Sequence, residues 1–196
     1  VSFAGWCLVG VRLLGLAPIV LSGLLLSVLL RGLERPIFGQ NRPVTPYITV
    51  AVCRFALRII GLPCRVTGTP MRSPGAFVAN HSSWLDIFVL NSCARVYFVS
   101  KAEVSAWPLI GWLARATGTV FIRRSRQDAA QQTEMFRARL RNGHRLLFFP
   151  EGTSTDGLRV LPFKSSLFEA FFTFDDACTD LWIQPVSVTF FAPSQR

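Results

Sequence analysis

The sequence has few charged residues and few histidines, and each shortage excludes a class of protein. Only 16% of its 196 residues are charged, whereas 51% are hydrophobic and the mean hydropathy is +0.39. A chain this apolar is neither intrinsically disordered nor an ordinary soluble domain, so we expect it to associate with a membrane. Two histidines, His81 and His144, are too few for a multi-histidine metal site.

Cysteines are also few, and their spacing does not favour cross-links. The five cysteines include no Cys-x-x-Cys pair; they are Cys7, Cys53, Cys64, Cys93 and Cys178. Neither a disulfide framework nor a zinc site is therefore expected. We predict free, mostly buried thiols in a reducing compartment, and no bound metal.

Acidic residues are scarce relative to basic ones. There are 11 Asp and Glu against 21 Lys and Arg, of which only Lys101 and Lys164 are lysines, so the formal net charge is +10. This excess favours an anionic partner. Anionic lipid headgroups or phosphorylated acyl carriers suit an apolar chain better than nucleic acid, so we expect a lipid surface and no nucleic acid.

The N-terminal segment is expected to anchor the chain. Residues 13–30 carry no charge, which predicts a membrane helix close to the minimum length. Pro18 and Gly23 leave a kink or a re-entrant hairpin as alternatives to a clean span. Most arginines follow this stretch, and the positive-inside rule then places the rest of the chain in the cytoplasm, at the inner membrane.

A second apolar stretch, residues 47–62, carries Arg54 and Arg58 four positions apart. The spacing predicts an amphipathic helix at the membrane interface with its arginines toward the headgroups, and a core helix with a solvated stripe is the alternative. We therefore expect an anchoring segment over residues 1–62 and a second domain over residues 63–196.

Beyond Pro63, short apolar runs alternate with helical periodicity, which is typical of an α/β domain. We expect a mixed sheet flanked by helices. The expected strands are Arg65–Thr67, Ala76–Asn80, Val96–Ser100, Thr119–Arg123, Arg145–Phe149 and Trp182–Phe190. The expected helices lie near Trp84–Cys93, Ala106–Thr117, Gln127–Asn142 and Ser165–Phe174.

One segment joins an apolar strand to an apolar helix and contains a histidine and an aspartate. In Asn-His-Ser-Ser-Trp-Leu-Asp, His81 precedes Asp86 by five positions, and a carboxylate in the first helical turns can fold back toward the imidazole. It would hold one tautomer of His81 and leave the other ring nitrogen to take a proton from a substrate hydroxyl. A structural histidine is the alternative.

Two further polar segments follow predicted strands. Glu151, Gly152 and Thr153 form a turn at the carboxyl end of a strand, where open α/β sheets place ligands. Arg123 and Arg124 end another strand and point to opposite faces, so that one of them can bind phosphate or carboxylate. An ordinary turn and a solvated arginine pair are the alternatives.

Taken together, these segments resemble the glycerolipid acyltransferases related to the bacterial 1-acylglycerol-3-phosphate acyltransferase. The matching motifs, in order, are Asn-His-x-x-x-x-Asp at 80–86, Gly-x-x-Phe-Ile-x-Arg at 118–124, Phe-Pro-Glu-Gly-Thr at 149–153 and Pro-Val at 185–186. The resemblance covers residues 63–190. It implies an α/β catalytic domain that moves an acyl group from an acyl thioester, on coenzyme A or acyl carrier protein, to the hydroxyl of a membrane lysolipid.

The resemblance also implies roles for individual residues. His81 would be the general base and Asp86 its orienting partner. The residues implied for acceptor binding are Arg123, Arg124, Glu151, Gly152 and Thr153. No cofactor is implied beyond the acyl thioester itself.

Within this family, residues 149–168 resemble the lyso-ornithine-lipid acyltransferases more than the enzymes that form phosphatidic acid. Ser154-Thr155 stands where Arg-Ser is usual, and Lys164-Ser165-Ser166 stands where a Lys-Lys/Arg-Gly run is usual. The loss of positive charge suits a zwitterionic ornithine headgroup better than a phosphate. Lysophosphatidic acid is the second candidate acceptor. A hydrolase and a non-enzymatic, membrane-anchored basic binding protein are the two rival functions.

Overall fold

The computed structural model describes residues 2–123, 129–172 and 180–191, except the side chains of residues 129, 169 and 170. The chain forms two compact units: unit 1 is Val1–Pro70 with Ile87–Arg123, and unit 2 is Met71–Asp86 with Arg124–Arg196. The functional division expected at residue 62 stays a prediction.

Helices and strands alternate beyond residue 70, as the sequence pattern predicts. The helices are α1 (Phe3–Phe38), α2 (Thr45–Ile60), α3 (Asp86–Cys93), α4 (Ile110–Thr117), α5 (Ala129–Arg141) and α6 (Glu169–Phe172). The strands are β1 (Gly75–Ala79), β2 (Tyr97–Lys101), β3 (Val120–Ile122), β4 (Arg145–Phe148) and β5 (Trp182–Val186). Short 3-10 helices cover Ala102–Ala106 and Ser165–Leu167.

Helix α1 of unit 1 is a single helix of 36 residues, so the hairpin alternative is wrong. The Ser2 hydroxyl accepts a hydrogen bond from Gly5 N and caps its first turn. Pro18 lies inside the helix without ending it. By length and composition, α1 is able to cross a membrane.

Helix α2 packs on α1 and begins at a cap supplied by that helix. The Glu34 carboxylate accepts from the backbone N–H groups of Val44 (2.7 Å) and Thr45 (3.0 Å) and from the Thr45 hydroxyl (2.8 Å). These bonds satisfy donors at the start of α2 that have no partner within the helix. The two helices approach closely where Gly23 of α1 meets Val52 of α2.

The predicted amphipathic character of α2 is confirmed. Cys53, Ala56 and Leu57 are buried, whereas Arg54 and Arg58 are exposed. The Arg54 side chain also donates from Nε to the carbonyl oxygen of Ser92, at 2.9 Å. Arg54 therefore lies on the exposed face of α2 and also links α2 to α3.

The remaining elements of unit 1 form a β-α-β arrangement. Strands β2 and β3 are parallel, with Val99 opposite Val120, and the chain between them contains α4. Arg42, in the turn between α1 and α2, donates to the carbonyl oxygen of Ala116 near the end of α4, at 2.5 Å. This bond satisfies one of the carbonyl groups left open at a helix C-terminus.

Unit 2 contains three parallel strands in the order β4-β1-β5. Gly75 of β1 lies opposite Arg145 and Trp182, and an added Cβ there would lie 1.9 Å from the Trp182 carbonyl oxygen. Leu146, Leu147 and Phe148 of β4 are almost completely buried. Because β1 and β4 pair in parallel, with Val78 opposite Phe148, their carboxyl ends lie side by side.

The α/β class is confirmed, but the pairings within each unit are parallel, whereas we expected a mixed sheet. Long connections that include helices join the paired strands, and such connections permit parallel pairing. The strand expected at Arg65–Thr67 is absent from the described residues, because these residues are exposed between Pro63 and Gly68 (φ 87°). The last strand ends at Val186 rather than Phe190.

Candidate active site

The loop between β1 and α3 holds a histidine against a buried aspartate. Nδ1 of His81 lies 2.8 Å from Oδ2 of Asp86. The same oxygen accepts from the backbone N–H groups of Ser82 (2.8 Å) and Ser83 (2.9 Å). The Asp86 side chain is 0% exposed and that of His81 is 19% exposed. The carboxylate therefore closes the loop and fixes the imidazole within it.

These contacts favour one tautomer of the neutral imidazole. A carboxylate is an acceptor, so Nδ1 carries the proton and donates it toward Asp86. Nε2 of His81 forms no hydrogen bond within the parts of the chain that the structure describes. In the neutral imidazole, Nε2 is thus the ring nitrogen without a proton, on a partly exposed ring, which is the arrangement of a general base.

Phe149 of the Phe-Pro-Glu-Gly-Thr segment and Thr155, two residues beyond that segment, contact this loop. The ring of Phe149 stacks on the His81 imidazole, with centroids 4.0 Å apart and planes inclined by 12°. The backbone N–H of Thr155 donates to the carbonyl oxygen of His81, at 2.8 Å. The structure thus brings the first and second predicted segments together. Neither contact was predicted from the sequence, where the signal for them was the position of Phe149 directly before the polar turn.

Asn80 connects the same loop to the last predicted segment. Its side-chain Nδ2 donates to the carbonyl oxygen of Val188 (2.9 Å), and its Oδ1 accepts from Val188 N (2.8 Å). This reciprocal pair replaces backbone pairing beyond Val186 and explains why β5 ends early. Asn80 is therefore a positioning residue for the loop that carries His81.

Glu151 is buried, whereas Thr153 is exposed. Glu151 is only 5% exposed, and its Oε2 accepts from Leu161 N at 3.0 Å. Gly152 has a φ of 71°, which favours glycine, and its N–H donates to the Phe149 carbonyl oxygen. The Glu151 carboxylate therefore holds the chain that returns at Leu161, and Thr153 is the accessible side chain of this turn.

Of the two predicted arginines, the structure describes only the first. Arg123 is exposed at the carboxyl end of β3, in unit 1. Arg124 lies outside the described residues. Their assignment to acceptor binding stays a prediction.

The described thiols are free, as predicted, but they are not mostly buried. Cys7 and Cys64 are exposed and Cys93 is intermediate, while Cys178 lies outside the described residues. Cys53 is buried, which raises the pKa of its thiol to about 12. Among the described residues, no group of three or more His, Cys, Asp or Glu side chains is placed to hold a metal ion.

Comparison with known proteins identifies a family for most of the chain. The model of the family described as "Acyltransferase" matches residues 64–189. This range contains every residue of the site described above.

Two relatives illustrate the similarity. The lyso-ornithine lipid O-acyltransferase of Rhodobacter capsulatus is 56% identical over 178 residues, which cover 91% of this chain and 64% of that protein. The 1-acyl-sn-glycerol-3-phosphate acyltransferase of Neisseria gonorrhoeae is 40% identical over 135 residues, which cover 67% of this chain and 51% of that protein. The chain thus spans less than two thirds of the length of either relative.

A solved structure shares the fold. The crystal structure of the 1-acyl-sn-glycerophosphate (LPA) acyltransferase PlsC from Thermotoga maritima matches with a TM-score of 0.53 at 24% identity. The match covers 83% of this chain and 71% of that one.

Proposed function

The chain belongs to the acyltransferase family, and we propose that it transfers a fatty acyl group from an acyl thioester to the hydroxyl of a lysolipid. One observation carries the proposal: Nδ1 of His81 lies 2.8 Å from a fully buried carboxylate oxygen of Asp86. No nucleophilic side chain of the protein is needed, because the attacking group is the substrate hydroxyl.

In the first step, Nε2 of His81 takes the proton of the lysolipid hydroxyl as its oxygen attacks the thioester carbonyl carbon. The imidazole becomes an imidazolium, and the charge of Asp86 stabilises it at Nδ1. Phe149, stacked on the ring, keeps it from rotating out of this orientation. The product of this step is a tetrahedral oxyanion.

In the second step, the oxyanion collapses and the carbon–sulfur bond breaks. The proton on Nε2 passes to the leaving thiolate, which restores the neutral imidazole and releases the thiol of coenzyme A or acyl carrier protein. The acyl ester stays on the lipid. The proton that His81 takes from the hydroxyl is thus the one that the leaving thiolate receives.

Lyso-ornithine lipid is the acceptor we propose. The name of the Rhodobacter relative supports it, as do the departures at Ser154-Thr155 and Lys164-Ser165-Ser166. Lysophosphatidic acid is the second candidate, supported by the name of the Neisseria relative. Acceptor-binding roles for Arg123, Arg124, Glu151, Gly152 and Thr153 rest on the family resemblance.

We place the protein at the inner membrane, with its catalytic residues on the cytoplasmic side. The apolar length of α1 and the excess of arginines after it support this location. Both acyl carrier protein and coenzyme A thioesters occur on that side, and either is a suitable donor.

The decisive experiment measures acyl transfer by detergent-purified protein. Labelled acyl groups on acyl carrier protein or on coenzyme A are offered with lyso-ornithine lipid or lysophosphatidic acid. His81→Ala is compared with the matched variant His144→Ala, which removes the other histidine of the chain. We expect transfer to lyso-ornithine lipid, lost in His81→Ala and retained in His144→Ala.

Each other outcome rejects a defined part of the proposal. Preference for lysophosphatidic acid would reject the acceptor and keep the mechanism. Release of free fatty acid without acylated lipid would identify a hydrolase. Undiminished transfer by His81→Ala would reject the catalytic assignment, and no transfer by the unmodified protein would favour a non-enzymatic binding role.

A further inference from the structure

A short turn in unit 1 exposes four large apolar side chains that the acyl-transfer proposal does not use. Residues 107–112 read Trp-Pro-Leu-Ile-Gly-Trp and are called here the tryptophan turn. Trp107 is 53% exposed and Trp112 is 62% exposed, and Leu109 and Ile110 between them are also exposed. Contiguous exposed apolar groups of this size mark an interaction surface.

The backbone holds the tryptophan turn in a strained shape. Leu109 has φ 60° and ψ −52°, and Ile110 N donates to the Pro108 carbonyl oxygen at 2.6 Å. This is a γ-turn with its central residue in a conformation rarely adopted by residues other than glycine. Strain of this kind persists only where surrounding contacts enforce it.

Contacts beneath the turn enforce its position. An added Cβ at Gly111 would lie 2.2 Å from the Ser105 carbonyl oxygen, so only glycine allows this approach. Arg115 of α4 donates to the same Ser105 oxygen at 2.5 Å. The base of the turn is therefore packed while its apolar side chains project outward.

The tryptophan turn leads into a helix that packs against the helices expected at the membrane. Helix α4, which continues from the turn, contacts both α1 and α2. Arg42, in the turn between those two helices, bonds to Ala116 at the other end of α4. The exposed charged side chains of residues 101–115 are Lys101, Glu103 and Arg115, which carry a net charge of +1, and the chain as a whole carries +10.

We propose that the tryptophan turn lies in the headgroup region of an anionic lipid bilayer, next to α1 and α2. Indole rings concentrate at this depth, where their apolar bodies contact acyl chains and their N–H groups contact water. Exposed basic residues beside them attract anionic headgroups. The turn thus adds a second point of membrane contact, within the unit that contains α1.

The test is depth-dependent quenching of tryptophan fluorescence in reconstituted protein. Three single-tryptophan variants, in which the other four tryptophans become Phe, retain Trp112, Trp6 of α1 or Trp182 of β5. Vesicles contain anionic lipid and lipids brominated at a shallow or a deep acyl position. We expect shallow bromines to quench Trp112 about twofold more than deep ones, with Trp182 unquenched.

The variant that retains Trp6 reports whether α1 is inserted, independently of enzyme activity. Quenching of Trp6 without quenching of Trp112 would overturn the proposal. Blue-shifted but unquenched Trp112 emission would overturn it too, since protein, from the same chain or a second copy, would then cover the turn. If a single-tryptophan variant does not melt cooperatively, Trp112→Phe and Trp182→Phe are compared instead; the proposal requires that only Trp112→Phe reduces shallow quenching.

The proposal does not depend on acyl transfer. Quenching measures the position of Trp112, and a protein that fails to acylate any lysolipid still gives a result. Conversely, acyl transfer by a protein whose Trp112 is not quenched would support the proposed function and contradict the proposed membrane contact.

Discussion

The ring of Phe149 lies parallel to the imidazole of His81, at a centroid separation of 4.0 Å. Phe149 directly follows β4, and His81 lies just after β1. The stacked rings therefore join two segments that are far apart in the sequence. With Asp86 fixing Nδ1 from the side, the stack restricts rotation of the ring. Phe149 is thus a positioning residue for the proposed base.

Replacing Phe149 with Leu tests this role. Leucine keeps apolar contact but cannot stack, and aromatic pairs contribute about 0.5–1.5 kcal/mol beyond burial. We expect kcat to fall about twofold to tenfold, with little change in the KM for acceptor. Phe163→Leu, which changes a half-exposed ring in the same unit, is the control. Equal losses in the two variants would count against a specific role for the stack.

Asp86→Asn is expected to reduce kcat about 100-fold to 10,000-fold, because the amide no longer fixes the required imidazole tautomer. Oδ2 also accepts two backbone N–H groups, so the variant is expected to unfold at a lower temperature. Steady-state kinetics and thermal melts separate the two effects. Asp156→Asn removes an exposed carboxylate that lies 3.5 Å from Arg159. This control variant should leave both kcat and the melting temperature near their original values.

Variants of Glu151 distinguish a positioning role from direct contact with the acceptor. Because Oε2 accepts from Leu161 N, Glu151→Ala leaves a partly buried donor unpaired and should cost about 1 kcal/mol of stability. Glu151→Gln keeps an acceptor oxygen and should retain much of this stability. If the carboxylate instead binds acceptor, the Gln variant should raise KM without lowering the melting temperature. The control is Glu134→Gln, which removes an exposed ion pair with Arg141 and should change neither KM nor the melting temperature.

Close packing of α1 on α2 predicts a position-dependent effect of glycine substitution. An added Cβ at Gly23 would lie 2.4 Å from Val52 Cγ2, whereas at Gly10 it would meet nothing within 4 Å. We expect Gly23→Ala to destabilise the detergent-purified protein by about 1–3 kcal/mol. Gly10→Ala should be neutral or stabilising, since alanine favours helix. Adding Val52→Ala should restore the melting temperature of Gly23→Ala; failure to do so would refute this packing.

We expect the Cys93 thiol to influence the ionisation of Cys64, and this influence is measurable. Although Cys64 is exposed, partial burial of its thiol raises its pKa, and the charge and hydrogen bonding of Cys93 raise it further. Removal of Cys93 should therefore lower the Cys64 pKa and increase its thiolate fraction at mildly alkaline pH. We expect Cys64 to react faster with iodoacetamide in Cys93→Ala than in the unmodified protein, as measured by peptide mass spectrometry.

The effect of Cys93→Ala on the alkylation rate of Cys64 should depend on pH. The difference between the two proteins should shrink as pH rises, because Cys64 then becomes ionised in both. An unchanged alkylation rate across this pH range would show that Cys93 does not influence Cys64.

Local patterns were enough to predict most secondary-structure elements. Helix α2 and strands β1 to β4 lie close to their predicted positions because apolar runs and helical periodicity are properties of neighbouring residues. Helix α1 contains the predicted residues 13–30 but, at 36 residues, is twice as long as that stretch. The helix expected from Ala106 begins only at Ile110, since the strained turn at Leu109 interrupts it. That turn depends on packing against Ser105, which periodicity does not encode.

The sequence by itself determined the long apolar helix, the α/β alternation and the pairing of His81 with Asp86. These two residues are five positions apart, and a strand-to-helix loop brings them together without help from distant residues. Only the tertiary structure decided the surroundings of the pair. Val78 of β1 pairs with Phe148 of β4 in parallel, so both strands end at the same edge and Phe149 reaches the His81 ring. Which strands become neighbours depends on packing of the whole unit, and no local pattern specifies it.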